Sequence, residues 1–216
     1  MVIPQISSKY SDREKNYPKI AEAIEKITAL KRGNYVVFFP SFDFMERVLS
    51  QFRVSSIVLK QERAMKRDEI EDVLQRLKDP AEAHILFAVQ GGVFSEGLDY
   101  PGNMIIGALV VGTPLPHFDL EREKMRAYYQ KNYAAGFDYT YTYPAMAKAV
   151  QAAGRVIRSE TDQGIIILMD NRFIQPSYVK SMPQDWFDQK PEEMVSRSIL
   201  KDISNFWEQT KNVTPV

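Results

Sequence analysis

The chain contains no cysteine, which excludes disulfides, thiolate metal sites and iron–sulfur clusters within it. The simplest location for such a protein is the cytoplasm, or the nucleus in a eukaryote, and secretion is not expected. Histidine is almost as scarce, with only His84 and His117. His84 opens an apolar run and His117 follows Pro116 in an expected loop, so neither a histidine-based metal centre nor a catalytic triad is expected. An excess of charge of one sign is also missing, because 28 Lys and Arg balance 28 Asp and Glu. No overall basic field therefore marks a nucleic-acid or membrane binder, and any such surface must be local. No basic-then-apolar signal segment opens the sequence, and no apolar run reaches the roughly eighteen residues of a membrane span. There is no G-x-x-x-x-G-K-[ST] phosphate loop. No adjacent Asp-Glu pair ends an apolar strand to hold magnesium, since Asp68-Glu69 falls in a helix-like stretch. The chain is not expected to hydrolyse a nucleotide by itself.

What is present is ample core material: 216 residues, 44% hydrophobic and 12% aromatic. Ile20, Ile24, Ile27 and Leu30 recur at helical spacing up to Gly33. Tyr35 to Phe39 then reads as a buried strand, Phe42 to Leu49 as a helix, Ile57 to Leu59 as a strand, and Ile70, Val73, Leu74 and Leu77 as one face of another helix. Ile85 to Val89, Ile105 to Val111 and Ile165 to Met169 are further apolar runs of strand length. Continuous rather than alternating apolar strands, separated by helices, predict an α/β fold with a mostly parallel central sheet and helices on both faces. One domain is expected over residues 1–216. Its irregular opening segment should run to about residue 18 and a C-terminal helix should dock over 191–209.

In an open parallel sheet, ligands lie beyond the carboxyl ends of the strands, so the turns after Phe39, Val89 and Val111 draw attention. Gln90 to Gly102 holds four glycines, Glu96, Asp99 and Pro101. Such a loop either lets backbone N–H groups approach an anion or is a tight turn with a capping Asp. Ser41 is placed to cap the following helix, whose N-terminus also suits a phosphate. Gly112-Thr113-Pro114-Leu115-Pro116 makes a rigid corner or lines a cleft. In Gln151-Ala-Ala-Gly-Arg155-Val-Ile-Arg158, helical geometry would put Gln151, Arg155 and Arg158 on one face, with Met146, Val150, Ala153 and Ile157 opposite. That is either a solvated polar face or a fork of guanidinium donors that suits phosphate oxygens. The tyrosine-rich stretch 128–143 is either a stacking surface for bases or, as buried aromatics more commonly are, an excursion packed on the sheet edge.

Five segments in order carry a resemblance. Ser7 to Glu14, Phe38 to Glu46, Gly92 to Asp99, Gln151 to Arg158 and Asp170-Asn171-Arg172-Phe173 together resemble the C-terminal motor domain of XPD/DinG-type superfamily 2 DNA helicases. The resemblance implies a RecA-like domain that closes over ATP held, with Mg2+, mainly by a separate N-terminal motor lobe. Phe38 to Glu46 looks like helicase motif IV, Gly91 to Asp99 like motif V, and Gln151 to Arg158 like motif VI. Arg155 and Arg158 would face the γ-phosphate, with Arg158 as the arginine finger, and Gln151, Gly154, Glu96, Gly97 and Asp99 would lie at the ATP interface. Ser41, Phe42, Gly91, Gly92 and Ser95 would touch single-stranded DNA. Val93 departs from the basic residue expected in some relatives. The implied partners are that N-terminal lobe and single-stranded DNA, and no membrane; the implied function is half of an ATP-dependent 5′–3′ DNA helicase, inactive alone. The alternative is a stand-alone nucleic-acid-binding or regulatory module that keeps the fold without motor chemistry.

Overall fold

The computed structural model of the chain describes residues 1–53, 57–157 and 162–211. Its five strands are β1 (Tyr35–Phe39), β2 (Ile57–Lys60), β3 (His84–Val89), β4 (Gly107–Val111) and β5 (Ile165–Met169). They pair in the order β2-β3-β1-β4-β5, and every pairing is parallel. Parallel neighbours require crossovers. Helix α2 (Phe42–Leu49) links β1 to β2 and α3 (Arg67–Lys78) links β2 to β3, while α4 (Leu120–Tyr133) and α5 (Tyr143–Ala153) lie between β4 and β5. The β3 to β4 crossover is a loop with a 3-10 turn at Gly102–Met104. Helix α1 (Arg13–Thr28) precedes the sheet, and α6 (Pro176–Val179) and α7 (Ile199–Lys211) follow it.

Side chains alternate across each strand, and the two faces build two cores. Val36, Phe38, Leu86, Ala88, Ala108 and Val110 pack with Val73 and Leu77 of α3 and with Met146, Ala149 and Ala152 of α5. Tyr35, Val37, Phe39, Phe87, Leu109 and Ile167 pack with Ile20, Ile24 and Ile27 of α1, Phe44 and Met45 of α2, and Ile203 and Trp207 of α7. Burying a side chain of this size contributes roughly 1.5–3 kcal/mol, so both layers are needed to hold the central strands dry. The result is the three-layer α/β sandwich expected from the apolar runs.

Both ends of the chain depart from expectation. The opening segment is irregular only to Lys9. A 3-10 turn at Tyr10–Asp12 leads straight into α1, which continues through Pro18 because Asn16, Tyr17, Ile20 and Ala21 are already buried. The C-terminal helix starts at Ile199 rather than 191, because residues 191–194 form a separate 3-10 turn that the side chain of Glu193 caps. Residues 212–216 lie outside the described ones.

The opening segment is tied to the far edge of the sheet. Val2 bridges Leu168 of β5 and Val195. Ser8 donates to Asp170 through both its backbone N–H, at 2.9 Å, and its hydroxyl, at 2.5 Å. Asp170 is fully buried at the end of β5 and pairs with Arg172, whose Nε lies 3.0 Å from Oδ1. Arg172 Nη2 also donates to the Ser8 hydroxyl. Gly112, with φ +62°, packs against the same cluster, where a Cβ would overlap Ser8. Burial alone would raise the Asp170 carboxyl, but the hydrogen bonds and charge of Arg172, together with Ser8, hold it below its ordinary value of 3.8. The stability it confers is present in full above that value and is lost as pH falls through the lowered one. Asp170→Asn should therefore cost about 3–5 kcal/mol at pH 7, because a buried guanidinium loses its counter-charge. Denaturant titrations should show the gap from the native protein narrowing below about pH 4. A gap unchanged with pH would exclude the ionised pair.

Candidate functional site

All five strands end at one edge, and the turns that leave them meet there. Ser41 caps α2, its hydroxyl accepting from the Phe44 N–H at 3.2 Å, and remains exposed. The half-buried ring of Phe42 carries the Arg63 guanidinium 4.8 Å above its centroid. Beyond β3, Gln90 is buried, and its amide nitrogen donates to the Gly112 carbonyl at 3.0 Å and the Val111 carbonyl at 3.2 Å. This side chain joins the ends of β3 and β4 across the intervening β1. Gly91 is exposed at φ +77°. Gly92 sits so close to Gln61 that a Cβ would lie 2.5 Å from its amide nitrogen and 2.8 Å from Val89 Cγ2, so a larger residue there would have to displace these side chains.

The turn that follows is closed by its own bonds. The Gly92 carbonyl accepts from the N–H groups of Ser95 and Glu96, and from the Ser95 hydroxyl at 2.9 Å. Tyr100 donates its hydroxyl to the Phe94 carbonyl at 2.8 Å, and burial pushes that hydroxyl's pKa up. Ser95 is 1% exposed, so its side chain belongs to the turn's interior and not to an open contact surface. Glu96, Gly97 and Asp99 stay on the exposed side.

The reading of residues 151–158 as one helix needs correction. Helix α5 ends at Ala153, and Gly154 caps it, donating its N–H to the Val150 carbonyl at 2.9 Å. Arg155 lies beyond the helix, so its side chain is free of the helical face and turns back across the domain. Its Nε donates to the Ser95 carbonyl at 2.9 Å and its Nη1 to the Leu98 carbonyl at 3.1 Å. The guanidinium thus holds the glycine-rich turn from outside, and the two segments form one unit. Gln151 is exposed on the last turn of α5, Ile157 is exposed rather than buried, and Arg158 lies outside the described residues.

The tyrosine-rich stretch does not pack on the sheet edge. Helix α4 buries no residue, and Tyr128 and Tyr133 are 59% and 58% exposed. Ala134 ends the helix with φ +53°, and the chain doubles back through a π-helical turn at Asp138–Thr142, so the rings meet one another instead. Tyr129 stacks on Tyr139 with centroids 5.0 Å apart and planes at 17°; in this turn Tyr141 alone among the rings is fully buried. Sequence reasoning had no role for Gln61, Gln90, Ser8 or Lys148. For Lys148 a signal existed, since it lies one turn before Gln151 on the same face of α5. Among the described residues no group of three or more His, Asp or Glu side chains is placed to hold a metal ion, and no helix is long and apolar enough to cross a membrane.

This arrangement has relatives. The family described as the helicase C-terminal domain matches residues 24–189, a stretch containing the glycine-rich turn, the Arg155 clamp and four of the five ordered segments. The chain belongs to this helicase C-terminal domain family. The ATP-dependent DNA helicase chl1 of Neosartorya fischeri is 26% identical, over 91% of this chain and 27% of its own length. The general transcription and DNA repair factor IIH helicase subunit XPD/RAD3 of Saccharomyces cerevisiae is 27% identical, over 78% of this chain and 23% of its own. A solved structure described as XPD helicase superposes with a TM-score of 0.70 at 25% identity, covering 83% of this chain and 32% of that one. This helicase domain therefore spans about a quarter of the length of those two curated relatives, and its α/β sheet has the RecA-like arrangement of the XPD structures.

The Arg155 clamp has a measurable consequence. Arg155→Ala removes two charge-assisted bonds, and the Ser95 and Glu96 amides should exchange hydrogen about tenfold faster or more, while those of β1 and β3 keep their rates. Unchanged exchange in the turn would show that Arg155 does not hold it.

Proposed function

We propose that this helicase C-terminal domain is the second motor half of an ATP-dependent 5′–3′ DNA helicase, supplying an arginine finger and part of the single-strand track to a site completed by an N-terminal motor lobe. The observation that carries the reading is the Arg155 clamp, because it ties the segment resembling motif VI to the turn resembling motif V. Phosphoryl transfer needs positioning and charge stabilisation more than covalent help, and an arginine from across a cleft stabilises the charge that builds on the transferred group. Arg158, three residues past the clamp, is the finger in this reading. Arg155 then acts through position: a shift of the finger on lobe closure is transmitted to the glycine-rich turn. Gln151, Gly154, Glu96, Gly97 and Asp99 face the nucleotide, while Ser41, Phe42, Gly91 and Gly92 face the DNA and Ser95 keeps the turn's shape. Mg2+ would be held with the phosphates, mainly by the other lobe, for this chain has no phosphate loop.

Closure and reopening of two lobes that each grip the strand moves it along, with ATP turnover setting the cycle. The isolated chain should show no ATP hydrolysis. Covalently joined to its N-terminal lobe, it should hydrolyse ATP on addition of single-stranded DNA, and Arg158→Ala should lower turnover by roughly three orders of magnitude while largely sparing ATP binding. Helicase-like turnover by the chain alone, or retained turnover in the variant, would contradict the assignment.

A further inference from the structure

The glycine-rich turn from Gln90 to Asp99 contains no lysine or arginine. A backbone that approaches phosphate there has N–H groups but no cation of its own. The structure brings one from elsewhere. Lys148, exposed on α5, extends toward Gly91, its Nζ lying 3.1 Å from the position a Cβ on that glycine would take. Among the described residues, no carboxylate is within ion-pairing distance of Lys148. Its neighbours on the other side are the turn after β4 and the start of α4. Pro114, Pro116 and Pro144 wall a cleft of about 390 Å³ that His117, Arg122 and Lys148 also line. Asp119 also lines it, but this carboxylate is engaged, accepting the Arg122 N–H at 2.8 Å as the cap of α4 and lying 3.5 Å from Arg122 Nε.

Next to His117 in the chain is a largely exposed aromatic ring. Phe118 is 65% exposed and stacks on the buried Tyr141 with centroids 4.7 Å apart. A ring held flat from behind and open in front is a platform for another planar group. Three prolines make the cleft rigid, so ordering it costs little entropy on binding.

We infer that the cleft between the β4–α4 turn and α5 is an additional single-strand DNA subsite, in which Lys148 beside Gly91 takes a backbone phosphate, while Phe118, outside the cleft's lining but next in the chain to His117, stacks on a neighbouring base. The inference rests on the DNA-binding reading above and extends the track from Ser41 and Gly91 toward α4. The three prolines and the Phe118 ring distinguish it from a merely solvated lysine, since they give the strand a fixed path and its base a surface. The phosphate contact sets the salt dependence and the ring does not.

The test is binding of a labelled oligothymidylate to the whole chain over a range of salt concentrations. The native chain should bind at low salt and weaken linearly on logarithmic axes. Lys148→Ala should reduce the steepness of that line by about 0.7, the value of one single-strand phosphate, and Lys148→Arg should restore it. Phe118→Ala should weaken binding about tenfold with the steepness unchanged. Both side chains are exposed, and thermal melts should show all variants folded like the native chain. Native binding with Lys148→Ala and Phe118→Ala indistinguishable from it would overturn the subsite and leave the DNA reading standing. No binding by the native chain at low salt would overturn both.

Discussion

Five parallel strands impose the constraint on which everything else in this molecule depends. Parallel pairing sends every strand's carboxyl end to the same edge, and the crossovers return the chain over the two faces. Residues separated by more than a hundred positions, such as Ser41 after β1 and Asp170 after β5, therefore end up along one rim. Burial on both faces makes the strands rigid, and the glycine-rich turn on the rim is anchored to the same core through Phe94 and Tyr100. Two polar devices stabilise that rim. Gln90 bonds the ends of β3 and β4 together across β1, and the buried Asp170–Arg172 pair with Ser8 fastens the opening segment to the end of β5.

Much of this was legible in the residues. Runs such as Tyr35 to Phe39 and Ile165 to Met169 are apolar throughout because both sheet faces are covered, and that reads directly as parallel strands. Ser41 before Phe42 marked a helix cap, which the structure forms. What failed has physical causes. Helical periodicity projects Arg155 outward with Gln151, but the helix stops at Ala153, so the same side chain reaches back to Ser95 and Leu98. Of the two readings left open for the tyrosine-rich stretch, packing on the sheet edge is not what α4 shows: packing ring against ring around a tight reversal leaves several of its tyrosines half in solvent. Long-range bonds such as Gln90 to Gly112 leave no local pattern, since they depend on strand order, which spacing does not encode.

The rim joins firm support to an open outer side. Behind it lie buried side chains and paired charges. In front, Gly91, Glu96, Gly97, Asp99 and Gln151 face outward. On the proposed reading this division is that of one wall of a cleft, stiff enough to pass a displacement from one segment to another, whose exposed groups would meet a ligand carried by a facing lobe. A domain that on this reading would supply charge stabilisation, and that has no phosphate-loop motif, is expected to grip a nucleotide weakly by itself.

The central claim is that the nucleotide site is shared between two lobes, and equilibrium binding tests it most directly. Calorimetric titration of the isolated chain with Mg2+ and a non-hydrolysable ATP analogue should detect no binding in the micromolar range, and the chain joined to its N-terminal lobe should bind. Micromolar affinity in the isolated chain would mean that it holds a complete nucleotide site, and would contradict the account.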